Sequence, residues 1–254
     1  MNFRLGTTSY IYPADLLWNV QRLVGLVEDV ELVLFETADA SNLPDAETIA
    51  ELWEVAYCHG LTYTVHLSTD LQLGASGKVW TSSVEKARRF IRTTRPLNPW
   101  AYIVHLNPDG AQSPALWREQ CLKALETLAE EAGGPGLLAV ENLENCPLEC
   151  LVPILEKAPV SLCLDVGHFW LAGADPLPAL RAHLGRTRVV HLHGVNRQDH
   201  ESLAWVPADA LRAVLEELVQ QGYGGVVTLE VFSAEDFFSS WERLLSLLKE
   251  ILPI

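Results

Sequence analysis

Eight short apolar runs alternate along the chain with eight longer segments in which apolar residues recur at helical spacing. The runs near residues 3–7, 30–36, 62–66, 100–105, 137–141, 160–165, 187–191 and 225–230 predict strands. The segments near 15–27, 44–58, 80–94, 114–131, 147–157, 176–184, 207–221 and 235–251 predict helices. Helix-start chemistry supports several of these boundaries: Pro13-Ala-Asp15, Pro44-Asp45, Pro147 and Ser233-Ala-Glu235. No linker, low-complexity tract or antiparallel hairpin signal interrupts the alternation. It predicts one α/β domain over residues 1–254, a parallel sheet closed as a (β/α)8 barrel.

Six of the strands end on a residue able to bind a metal: His66, His105, Glu141, Asp165, His191 and Glu230. Counting back by twos from these ends gives mostly small or hydroxylated residues, among them Thr64, Ala101, Ala139, Cys163, Val189 and Thr228. The alternate phase is uniformly aliphatic: Val65, Val104, Val140, Leu164, Val190 and Leu229. A narrow barrel interior calls for the first set and a helix-covered face for the second. The six ligand-capable residues are therefore expected to point inward at the carboxyl ends of the strands, the face on which barrels of this kind do chemistry.

Composition narrows the class. A chain of 254 residues that is 49% hydrophobic and 20% charged can bury a large core. Its formal net charge of −15 argues against a nucleic-acid partner and requires local groups to capture any anionic substrate. Five scattered cysteines suit reduced thiols, and the N-terminus MNFRLGTTSY lacks the apolar run of a signal peptide. With no run of about 18 apolar residues to span a bilayer, the expectation is a cytoplasmic protein without a membrane partner.

Taken singly, each strand-end residue has a plain structural reading: a packed histidine, a salt-bridge partner, a helix cap. Taken together, three carboxylates and three imidazoles on one rim would repel and desolvate one another unless cations lay between them. The mixture suits zinc, manganese or iron rather than calcium. Further candidates lie just past the strand ends. His168 follows Asp165 through a glycine, and Asp199 and His200 lie in the loop after the seventh strand. Glu36, Asn142, His193, Arg197 and Trp170 are candidate substrate contacts, with His193 expected to orient a ligand and Arg197 to meet a phosphate.

The ordered set His66, His105, Glu141, Asp165-x-x-His168, His191 and Glu230 resembles the xylose isomerase-like TIM barrel superfamily of sugar isomerases, epimerases and endonuclease IV. That resemblance implies that Glu141, Asp165, His191 and Glu230 form the metal quartet of the isomerases. It also implies that His66, His105, His168, Asp199 and His200 add ligands for the two or three divalent metals of the phosphodiesterase branch. Asp199 and His200 are adjacent, whereas the endonuclease motif has a residue between them. The stretches GTTSYIYPADLLWNV, DVELVLFE, TYTVHL and CLDVGH are similar to cobamide-remodelling phosphodiesterases. The expected activity is metal-dependent phosphodiester hydrolysis of a small molecule such as a corrinoid, with Glu141, Asp165 and Glu230 catalytic. The alternative is a sugar (phosphate) isomerase or epimerase in which Glu141 and Glu230 shuttle a proton.

Overall fold

The computed structural model describes residues 2–108, 110 and 112–252. Its first half runs β1 (Arg4–Thr8), α1 (Leu16–Leu23), β2 (Asp29–Val33), α2 (Ala46–His59), β3 (Thr62–His66), α3 (Gly77–Thr94), β4 (Tyr102–Val104) and α4 (Pro114–Ala132). The second half runs β5 (Leu138–Glu141), α5 (Leu148–Leu155), β6 (Ser161–Asp165), α6 (Val166–Leu171), α7 (Leu177–His183), β7 (Thr187–Leu192), α8 (Ala208–Gln220), β8 (Val226–Leu229) and α9 (Ala234–Ile251). Each strand pairs in parallel with its sequence neighbours, and β8 pairs with β1, so the sheet closes. This is the (β/α)8 barrel that the alternation predicts. Among the described residues no helix is long and apolar enough to cross a membrane.

The two phases of each strand separate into two cores. Val65, Val104, Val140, Leu164, Val190 and Leu229 join the large layer between sheet and helices. Ala101, Ile103, Ala139, Cys163, Val189 and Val226 form a small cluster of their own inside the barrel. Small side chains are needed there because all eight strands point residues at one axis. Below this cluster, at the amino ends of the strands, the guanidinium carbons of Arg4 and Arg188 lie 4.1 and 4.0 Å from the ring centre of Trp100. This cation–π contact covers the base of the barrel.

Helix starts follow the expected chemistry. Asp15, Asp45, Ser113 and Ser233 each accept a hydrogen bond from a first-turn amide with the side chain. Several boundaries differ from the sequence expectation: α1 ends at Leu23 rather than near 27, and β4 and β8 stop one residue short of His105 and Glu230. β2 stops at Val33 rather than at 36, because Asn42 takes over the next pairing groups, accepting from Phe35 N at 2.8 Å and donating to Val33 O at 2.7 Å. A short helix, α6, also starts directly on Asp165, where a loop is expected.

Candidate metal centre

The carboxyl ends of the strands open into a cavity of about 410 Å³ lined by His66, His105, Glu141, His168, Asp199, His200 and Glu230 among others. Its floor is buried, with Asp165 and His191 fully so and Glu141 at 1% exposure, whereas Asp199 and His200 at the mouth remain 20% and 25% exposed. Ligand atoms collect into adjoining groups, each lying within 4.8 Å of one another. Of five such groups among the described residues, the first is His66, His105 and Glu141; the second is Glu141, Asp165, His191 and Glu230; the third is His168, His193, Asp199 and His200. Glu141 belongs to the first two. Its Oε2 lies 2.8 Å from His105 Nε2 and 3.3 Å from His66 Nε2, while Oε1 lies 3.2 Å from His191 Nδ1.

Local structure fixes which ring nitrogen two of the histidines offer. A backbone carbonyl can only accept, so the nitrogen facing it carries the proton and the other is free to ligate. His66 Nδ1 meets Leu67 O at 2.8 Å and His168 Nδ1 meets Asn142 O at 2.8 Å, which leaves Nε2 of each for the cavity. Asn142 also clasps Asp165, accepting from its amide and donating to its carbonyl, both at 2.9 Å. Asp165 Oδ1 in turn accepts from His168 N at 2.7 Å as the N-cap of α6.

Two glycines make the third group possible. A Cβ on Gly167 would lie 2.1 Å from the ring of His193. A Cβ on Gly194 would lie 1.9 Å from Ser202 O, where Gly194 and Glu201 pair and close the intervening loop. That closure carries Asp199 and His200 back over the barrel, with His200 in the left-handed backbone region at φ 55°. Its Nδ1 reaches Glu230 O at 3.2 Å.

Carboxylates and imidazoles perturb one another strongly across the cavity. Burial raises the pKa of Glu141, but His105 and His191 outweigh it and hold the carboxyl well below the usual range. Asp165 is likewise held low, burial being overcome by His193 and His191. Burial lowers the imidazoles, yet Glu141 lifts His66 to about 9, Asp165 lifts His193 to about 9, and Asp199 with Asp165 lifts His168 to about 10. Even so, Glu31 Oε1, Asp165 Oδ2, His193 Nε2 and Glu230 Oε2 are buried without a hydrogen-bond partner among the described residues. Unsatisfied buried groups of this kind are costly, and ion-bound ligand atoms would remove the cost. The donor set of imidazoles and carboxylates fits zinc, manganese or iron.

All nine sequence-predicted metal ligands meet at this cavity, and His193 joins them as a ligand-capable side chain. The other candidates divide. Asn142 positions Asp165 with its side chain. Glu36 turns away because it lies past the end of β2, and its carboxylate pairs with Arg89. Arg197 is exposed on the loop, outside the cavity lining. Trp170 packs with residues 173–177 and α8 around a separate hollow. One carboxylate at the site was not expected: Glu31, in the middle of β2, reaches His191 Nε2 at 2.9 Å. Its sequence signal is a charged residue inside an apolar strand, two places from Asp29.

Comparison with known proteins agrees with this architecture. The model of the xylose isomerase-like TIM barrel family matches residues 27–251. Endonuclease 4 of Thermus thermophilus is 33% identical over 149 residues, covering 53% of this chain and 53% of that protein. The match thus spans about half the length of that relative. Among solved structures, a D-tagatose 3-epimerase-like protein is similar with a TM-score of 0.83, at 21% identity over 98% of both chains. The endonuclease IV structure from Thermus thermophilus gives 0.75 at 24% identity, over 97% of this chain and 99% of that one. At these identities the structural likeness is one of fold, and the family rests on the sequence match: the chain belongs to the xylose isomerase-like TIM barrel family.

Proposed function

We propose that this protein is a metal-dependent phosphodiesterase acting on a small anionic molecule. The observation that carries the reading is the run of three contiguous ligand groups, the first two sharing Glu141. Five carboxylates converge there: Glu31, Glu141, Asp165, Asp199 and Glu230. Ligating imidazoles are neutral, so one divalent cation leaves the cluster with three negative charges. Three divalent cations leave it with one positive charge, which suits a phosphodiester monoanion inside a chain of net charge −15.

Bound divalent ions would supply a nucleophile near neutral pH and stabilise charge on the attacking and leaving oxygens. The chain's own residues have distinct parts. Glu141 joins the His66/His105 group to the quartet, and Asp165 and Glu230 face the same nitrogen of His191, at 3.7 and 2.9 Å. His168, Asp199 and His200 line the open side, where a substrate enters. The nucleotide loop of cobamides is the first substrate class to try, on the N-terminal sequence resemblance. An endonuclease activity is disfavoured by the acidic composition.

A keto-sugar epimerase is the second reading, favoured by the quartet itself, in which Glu141 and Glu230 both face His191. Elemental analysis of zinc, manganese and iron separates the two. Two or three equivalents per chain, reduced in Glu141→Gln, together with hydrolysis of coenzyme B12 or a model phosphodiester, are expected. A single equivalent that survives His66→Ala/His105→Ala, with turnover of keto-sugars, would replace this reading with the second.

A further inference from the structure

The histidine of the quartet is arranged differently from its neighbours. His66 and His168 are each held by a backbone carbonyl at Nδ1 and turn Nε2 to the cavity. His191 turns Nδ1 to the cavity instead, and the group behind its Nε2 is the carboxylate of Glu31, at 2.9 Å. Both residues are fully buried. Glu31 comes from β2 on the far side of the barrel axis, and β2 and β7 are not paired neighbours.

The position of the proton on His191 matters more than on the others. Its Nδ1 faces three carboxylates: Glu230 Oε2 at 2.9 Å, Glu141 Oε1 at 3.2 Å and Asp165 Oδ2 at 3.7 Å. Left alone, these carboxylates, of which Glu141 Oε1 is the one in hydrogen-bond geometry, would hold a proton on Nδ1, at the very atom that completes the quartet. An acceptor of comparable strength behind Nε2 is needed to draw the single proton of the neutral ring to the other side. A buried carboxylate does this better than a carbonyl because a hydrogen bond to an ionised acceptor is about twice as strong.

We propose that Glu31 is the positioning residue of the quartet: it holds His191 as the Nε2–H tautomer and so presents Nδ1 to the metal. This rests on the metal-site reading above and adds a residue to it. Metal-ligating histidines commonly give their other N–H to a carboxylate, and loss of such a partner typically lowers metal affinity about 10- to 100-fold. Glu31 also lies within ligand range of His66 and Glu230, so direct ligation by Glu31 is the competing arrangement.

The test uses the full chain, zinc ion as the probe, and Glu31→Gln beside the wild type. Zinc uptake by the wild type is measured first, by competition with a chelator. Uptake with a loss of about 10- to 100-fold at one equivalent in Glu31→Gln is expected. Long-range ¹H–¹⁵N spectra of labelled histidines should show His191 ligated through Nδ1 and protonated at Nε2 in the zinc-loaded wild type. The zinc-dependent increment in melting temperature should shrink in Glu31→Gln, beyond any change in its chelator-treated form. A merely structural carboxylate would lower both forms alike, which would overturn the inference. Nδ1–H on His191 in the loaded wild type, or a Glu31 carboxylate bound to the ion, would also overturn it, and needs no variant to fold. No zinc uptake by the wild type would fail the metal reading itself, whereas uptake unchanged in Glu31→Gln would fail the role of Glu31 alone.

Discussion

Inside the barrel, single residues carry costs that a surface residue would not. Asp29 lies wholly buried two residues before Glu31 on the same strand, with Oδ2 accepting from Thr62 Oγ1 at 2.6 Å and Oδ1 lacking a partner among the described residues. Burial outweighs the help of Thr62 and Arg4 and pushes its carboxyl up to about 6. An acid whose pKa is higher folded than unfolded binds more protons in the native state, so its contribution to stability falls as pH rises through that window. For Asp29 the window runs from its ordinary 3.8 to about 6, and the loss is roughly 3 kcal/mol above it. Asp29→Asn keeps an acceptor for Thr62 and removes the charge. It should raise stability at pH 7 by up to roughly 3 kcal/mol and leave it unchanged near pH 4. Denaturant melts at the two pH values check this, and equal effects at both would show that the charge is not the cause.

At the scale of elements, the strand ends set the chemistry, and their imidazoles and carboxylates titrate together. With carboxylates as the only countercharges, His66 and His193 sit at about 9 and His168 at about 10. Groups raised in this way stabilise the fold fully below their ordinary 6.5, and that contribution is lost as pH rises through 9 to 10. Chelator-treated protein should therefore melt at progressively lower temperature from about pH 6.5 to about pH 10. Zinc-loaded protein, whose ligand imidazoles are neutral throughout, should decline far less, so zinc affinity should rise over the same range. Calorimetry of the two forms reads this directly, and a flat profile for the treated protein would contradict it. These ends were legible in the sequence because each interrupts an apolar run with one ligand-capable residue, and a period of two fixes its direction. Glu31 was not, because a charge in mid-strand gives no hint of whether it meets an imidazole 160 residues away. Glu36 misled for a local reason: Phe35 looks like more strand, yet the side chain of Asn42 captures its amide and ends β2 early. The third ligand group depends on a loop closure between Gly194 and Glu201 that alternation patterns do not encode.

At the scale of the whole molecule, the proposed metal site sits in a chain with 33 acidic against 18 basic residues. The surface repels a phosphodiester at long range while the cluster, once loaded, attracts it at short range. Those two ranges respond differently to salt. Raising ionic strength from about 0.01 to 0.15 M shortens the Debye length from about 30 to about 8 Å, which removes the distant repulsion and leaves buried contacts much less affected. For a small anionic phosphodiester, kcat/KM should therefore rise with salt over this range, through the encounter rate. A neutral keto-sugar should show little change. Duplex DNA would show the opposite slope, because its binding by a protein releases counterions and weakens steeply as salt increases. Initial rates on the three substrate classes at two salt concentrations thus separate them by sign rather than by size. A falling kcat/KM on the phosphodiester that hydrolyses fastest would mean that a basic surface, not the metal cluster alone, captures it, and would direct attention to nucleic acid as the substrate.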